Sequence, residues 1–488
     1  MTARLQRLPP LLVGGLVVLA GAAIGLAAAP HVHRLDPFAV VALAMAGTVC
    51  AAACLLVVEP VWILTIGMLL SVFSGNWGNL GVHVPLDRVA IFGGIAVTVL
   101  RSLLSEDTPR LEVRRVHWLM VLLILYAVGS AAWSGTLTTH GPLFALLDRL
   151  GVVPFLLFLV APAAFPTERE RRILVGALTL LGAYLGLITL FEAVGAKGLV
   201  VPHYITNPAL GIHAGRGRGP FLEAGANGLA MFACLVAAAI GLSWWRDRRV
   251  RAGAIAVIIL CTAGMLYTLT RQVWAGGAAG ILVAMLADRR LRVWIPFTAA
   301  AGAIVVALSL AFIPGLSSNV DQRTTDQSPL WDRLNSDAAA LRMVEARPAL
   351  GFGWGMFGQA SVPYYRLAKS YPLTSVTDAH NVPLSNAAEL GLLGLALWIA
   401  ILLAAIVRPS VRRAPPEIEL YRLGLIAIAT AWFVQANFTP FDYAFDNYVV
   451  WLFAGIVAGA LATIRPRDGA LNHASTTGSP AGAALAIR

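Results

Sequence analysis

Asp378-Ala379-His380-Asn381, followed by Val382-Pro383-Leu384-Ser385-Asn386-Ala387-Ala388-Glu389-Leu390-Gly391-Leu392-Leu393-Gly394 and an apolar run to Val407, decides the fold class of this chain. A long polar loop ends there, and a helix begins that is long enough to cross a ~30 Å hydrocarbon core. The same signature recurs along the sequence. About fourteen apolar runs, most of roughly 16–25 residues, fit membrane-spanning helices. They are 11–29, 38–58, 61–74, 89–104, 117–133, 143–163, 172–194, 226–244, 252–269, 272–288, 293–312, 383–407, 421–438 and 447–464. The short run 61–74 lowers the expected count to about 12–14 spans. The expected class is an all-α, polytopic membrane bundle.

Composition agrees. Of 488 residues 58% are hydrophobic and 12% are charged, which excludes an ordinary soluble domain. A net charge of +11 would point to nucleic acid in a soluble protein. Here the basic residues sit in short connectors, 101–115, 168–172, 246–251, 288–292, 408–413 and 465–467. Threading the spans puts all six on the side of Arg4 and Arg7, which the positive-inside rule makes the cytoplasm, with both termini there. The charge orients helices in a cell inner or plasma membrane and calls for no nucleic acid. The run 11–29 reads as a retained anchor, because it is too long for a signal peptide and a second span follows at once. Cys50, Cys54, Cys234 and Cys261 all lie in apolar runs and read as small packing residues, with no metal site.

The chain divides into N-terminal spans (1–194), a central region (195–407) with a long extracytoplasmic loop at 314–381, C-terminal spans (408–466) and a disordered cytoplasmic tail (467–488). Within the long loop, Leu330, Leu334, Ala338 and Leu341 predict a short amphipathic helix, with Arg333, Asp337 and Glu345 off its apolar face. Gly351-Phe352-Gly353-Trp354-Gly355-Met356-Phe357 lacks nucleotide-loop spacing and reads as a re-entrant turn whose aromatic residues dip into the membrane interface.

Four places carry chemistry. Arg271 falls in a tight hairpin on the side where arginine is disfavoured, and its planar fork suits a phosphorylated ligand. Arg216 and Arg218, in Gly215-Arg216-Gly217-Arg218-Gly219, precede a span on the same side. His380 stands at the start of a span beside the carboxylate of Asp378, where an imidazole near its ordinary pKa can act as a general base. Asn381 is placed to orient it or to touch substrate. No Asp-x-Asp pair lies on this face, so the expected site holds a diphosphate with arginines and needs no metal or other cofactor.

Together these segments resemble the O-antigen ligase and polymerase superfamily of bacterial membrane glycosyltransferases. The resemblance rests on Arg218-Gly219-Pro220-Phe221 with Ala226-Asn227, on Leu269-Thr270-Arg271, on Arg347-Pro348-Ala349-Leu350-Gly351-Phe352-Gly353-Trp354-Gly355-Met356-Phe357, and on His380-Asn381-Val382-Pro383-Leu384 with Glu389-Leu390-Gly391-Leu392-Leu393-Gly394. It covers about residues 216–407; Ala226 departs from the proline frequent in the family. It implies an extracytoplasmic site that takes glycan from a polyprenyl-diphosphate-linked oligosaccharide and passes it to a hydroxyl on a glycan, lipid or protein acceptor. His380, Arg271 and Arg218 would be catalytic, and Arg216, Asn227, Asp378 and Asn381 would bind substrate. The alternative is a solute transporter, which calls for ionisable groups deep within several spans.

Overall fold

A bilayer offers the backbone no hydrogen-bond partner, so each apolar run must close its own bonds as a helix. The computed structural model describes residues 58–82, 84–104, 109–212, 214–313, 315–325, 328–365 and 379–463, and every regular element among them is helical. The run 11–29, the run 38–58 except its last residue, Asp378 and the expected tail 467–488 lie outside the described residues. In chain order the main helices are α1 (Pro60–Leu70), α2 (Leu86–Leu104), α3 (Arg115–Ser134), α4 (His140–Ala164), α5 (Glu168–Ala193), α6 (Ala224–Gly241) and α7 (Arg248–Tyr267). Then follow α8 (Arg271–Ala287), α9 (Ile295–Phe312), α10 (Leu316–Thr325), α11 (Ser328–Ala346), α12 (Val382–Leu402), α13 (Pro416–Ala436) and α14 (Ala444–Thr463). Among the described residues eight helical stretches are long and apolar enough to cross a membrane: α3, α4, α5, α6, α7, α9, α12 with its continuation to Val411, and α14. The protein is therefore an all-α polytopic membrane bundle.

The bundle is built around α6, which packs against α5, α7, α13 and α14 and is buried along almost its whole length. Alanine and glycine dominate its sequence, so its neighbours approach closely. Small residues act the same way between α8 and α13: a Cβ at Gly276 or Gly280 would lie 3.1 or 2.5 Å from the Ala431 or Ala427 carbonyl oxygen. By contrast α9 packs on α7 with most of its side chains facing outward, as a lipid-facing helix should.

The Arg-rich connectors gather at one end. There Arg169 pairs with Glu59 at 3.0 Å, Arg101 donates to the Val58 carbonyl, and Arg114 donates to the Ala458 carbonyl. The described parts of the long connections 71–85, 194–223 and 313–381 lie at the other end. Asn76 reaches the Pro220 carbonyl at 3.1 Å, and Trp354 reaches the Pro142 carbonyl at 2.9 Å.

The amphipathic helix of the long loop forms as α11, but with its other face inward. Ser336, Ala339, Ala340 and Met343 are buried, whereas Leu334 and Leu341 are about half exposed. Ala340 and Met343 pack with Phe357, Ala379 and Ala388 of the adjoining loop and α12. Small side chains allow that close seat; leucines would hold the helices apart.

Candidate active site

Helix α12 is interrupted where Glu389-Leu390-Gly391 meets the glycine-rich loop. Gly391 takes φ 68°, ψ −179°, which breaks the helical ladder and leaves carbonyls without partners. The loop supplies them. Phe352 N–H donates to the Ala388 carbonyl (3.0 Å), Gly353 N–H to that of Glu389 (2.9 Å), and Tyr126 hydroxyl to that of Leu390 (2.7 Å). In return Leu392 N–H donates to the Pro348 carbonyl at 2.7 Å. A Cβ at Gly351 (φ 69°) would lie 2.5 Å from the Glu389 backbone, so only glycine permits this docking.

Two of the loop's aromatic residues, Trp354 and Phe357, are buried in protein rather than at the interface as expected. Trp354 is fully buried; its backbone N–H donates to Ser130 Oγ at 3.0 Å, and its carbonyl accepts from Thr136 Oγ1 at 2.5 Å. Glu389 accepts from Phe357 N–H at 3.0 Å and lies 3.7 Å from Arg149, which also meets Asp442 at 3.4 Å. The break in α12 is thus tied to the 437–443 connection.

This scaffold places His380. Asn381 caps α12, its side chain accepting from Leu384 N–H at 3.1 Å, so its amide oxygen serves the helix. His380, one residue earlier, lines a cavity of about 460 Å³ at the end of the bundle away from the Arg-rich connectors. Arg216, Glu223, Thr270, Gln272, Arg333, Asp442 and Tyr443 line the same space. Arg271, the exposed first residue of α8, stands between Thr270 and Gln272.

The electrostatics favour an anion. Arg333 donates to Gln272 Oε1 at 3.3 Å and lies over the Phe438 ring at 5.9 Å. Burial and the neighbouring Arg271 charge hold its guanidinium below the ordinary range, with Asp337 and Glu223 opposing them. Burial pushes the Glu223 carboxyl up, against backbone donors at Ala226 and Gly225 and the charges of Arg216 and Arg333. Burial also lifts Asp337 to about 6, with Arg333 opposing.

Arg218 and Asn227 do other jobs. Arg218 is buried and donates to the carbonyls of Leu210 (2.6 Å), Ile205 (2.8 Å) and Asn207 (3.0 Å), and it is not among the residues lining the cavity. Asn227 donates to Thr189 Oγ1 at 2.9 Å and to the Gly217 carbonyl at 3.0 Å. Glu192 accepts from Gly219 N–H at 3.0 Å. These bonds fix the 215–222 loop and so present Arg216 to the cavity.

His380 and Arg216 are brought to one cavity with Arg271 beside it; Arg218, Asn227 and Asn381 support it from outside. Arg333, Glu223, Arg149 and Asp442 were missed. Their charge inside largely apolar surroundings was the available signal, but the sequence put Arg333 on a solvated face.

The fold and this cavity define a polytopic membrane protein with a cationic, histidine-bearing site at one end of its bundle. Residues 255–399, from α7 through most of α12, match the O-Antigen ligase family (Wzy_C), which bears out the resemblance over that stretch. The match includes Arg271, Arg333 and His380 and associates the protein in general terms with glycosyltransferase-like chemistry. No curated protein matches the chain.

Proposed function

We propose that the protein transfers glycan from a polyprenyl-diphosphate-linked donor to an acceptor hydroxyl on the extracytoplasmic face. The observation that carries this reading is a single cavity lined by His380, Arg216 and Arg333, with Arg271 at its edge. His380 accepts the acceptor's hydroxyl proton while that oxygen bonds to the donor's anomeric carbon. The bond from that carbon to the diphosphate oxygen breaks, and its electron pair leaves with the diphosphate. Arg216, Arg271 and Arg333 neutralise the charge that develops, and such contacts are worth on the order of 2–4 kcal/mol each. Glu223 lines the same cavity, its carboxyl pushed up by burial and opposed by the charges of Arg216 and Arg333.

In this reading Arg218 and Asn227 are positioning residues for the Arg216 loop. The buried carboxylates Asp87, Asp148 and Asp446 support an enzyme over a solute transporter, because they sit at the cavity ends of their helices. Asp87 and Asp446 lie in the first turns of α2 and α14, and Arg88 pairs with Asp148 near the start of α4.

The test is transfer by purified protein from a purified lipid-linked glycan, with chelator present and no metal added. Full activity is expected. Chelator-sensitive transfer would contradict an arginine clamp that works without metal.

A further inference from the structure

A second cavity, of about 580 Å³, opens at the same end of the bundle and shares Asp442 and Tyr443 with the first. Its size lies within the ~300–1,000 Å³ of ordinary ligand sites. Its chemistry is different. Arg88 grips Asp148 through both guanidinium nitrogens, at 3.0 and 2.6 Å, and Tyr448 hydroxyl donates to the same carboxylate at 2.5 Å. The two charges cancel within one fixed pair. Around them stand aromatic faces: Phe144 lies under the Arg88 guanidinium at 4.7 Å, and the His140 ring is 4.5 Å from Phe144. Trp77 completes the wall, its indole held by Asp87 at 2.6 Å.

Rigid aromatic surface with fixed polar groups and compensated charge suits an uncharged, hydroxyl-rich ring rather than a diphosphate. We propose that this cavity is the subsite for a neutral acceptor saccharide, whose attacking hydroxyl passes Tyr443 to reach His380. The proposal rests on the transferase reading and adds where the acceptor lies. In that reading the donor's diphosphate belongs to the cavity lined by Arg216 and Arg333, which leaves the one whose arginine is bound to Asp148 for the partner that carries no phosphate.

Gly78 lines this second cavity, has an ordinary backbone conformation, and a Cβ there meets nothing within 4 Å. Gly78→Trp therefore fills the subsite without crowding the core. The assay uses lipid-linked glycan extracted from cells lacking this protein as donor, and an envelope extract of the same cells as the source of acceptor. Gly78→Trp is expected to raise the acceptor concentration for half-maximal rate at least about tenfold, the equivalent of ~1.4 kcal/mol, with the donor dependence unchanged. His140→Ala, an exposed change that leaves folding intact, should raise it about two- to tenfold through the lost ring contact; it decides the matter if the tryptophan variant fails to fold. An unchanged acceptor dependence, or a shift in donor dependence instead, would overturn the subsite. Wild-type protein that binds donor yet transfers nothing would remove the transferase reading itself.

Discussion

Both ends of the bundle are rich in arginine, and they use it in opposite ways. At the connector end Arg169 and Arg172 are exposed and matched: Arg169 with Glu59 at 3.0 Å, Arg172 with Glu168 at 2.5 Å and over the Trp244 ring. Such exposed pairs contribute roughly 0–1 kcal/mol each and mainly orient the helices. At the cavity end Arg333 is half-buried with Arg271 close enough to depress its basicity. Like charges gathered in partial burial weaken a fold unless an anion joins them. The same contrast recurs two residues apart: Arg218 is consumed by three carbonyls, whereas Arg216 faces the cavity. Position relative to the backbone's own acceptors, rather than charge, separates the arginine that faces the cavity from the one that holds the loop.

The comparison is sharpest where chemistry is at stake. His380→Ala should lower transfer by about 10²–10⁴ while the donor lipid still binds, as expected for a base that acts on the acceptor. Rate and donor binding measured on one preparation check it, and unchanged transfer would remove the base.

Next in size are the cavity arginines. Arg271→Ala or Arg333→Ala should cost on the order of 2–4 kcal/mol in transfer, and lysine should restore it incompletely because it lacks the planar fork. Arg218→Ala should act through stability instead. It leaves buried carbonyls unpaired at about 1–3 kcal/mol apiece, so its melting temperature falls further than that of Arg216→Ala. Equal melting temperatures for the two variants would erase the distinction between them.

A smaller effect concerns pH. Asp337 is lifted to about 6 in the folded protein, above the ~3.9 of an unfolded aspartate. The folded state therefore holds more protons between those values, and this group's contribution to stability declines as pH rises through them. Asp337→Asn should melt with a shallower decline than wild type over that window; parallel curves would show that Asp337 is not perturbed. The smallest effect belongs to the connector end. Arg169→Ala should change stability by less than about 1 kcal/mol and leave transfer unaltered.

The spans and the His380-Asn381 start of α12 were legible because period and polarity encode them directly. The motifs around Gly351 and Gly391 were visible as motifs, but their meaning was not. They are two halves of one hydrogen-bonded junction, and a sequence does not show which carbonyls a broken helix leaves open. The place of Arg218 was not legible for a related reason: its partners are main-chain oxygens, which carry no residue signature. Arg333 escaped because leucine spacing set the expected face of α11, whereas Ala339, Ala340 and Met343 set the real one. Asp442 comes from a connection far from the recognised motifs, and Arg149 of α4, which pairs with both Asp442 and Glu389, ties it to α12.

The central claim is that the cavity arginines hold a diphosphate. Its most direct test is the dissociation constant of purified protein for undecaprenyl diphosphate, compared among wild type, Arg333→Ala and Arg169→Ala. A weakening of at least about tenfold, or ~1.4 kcal/mol, is expected for Arg333→Ala and none for Arg169→Ala. Equal affinity in all three would contradict it.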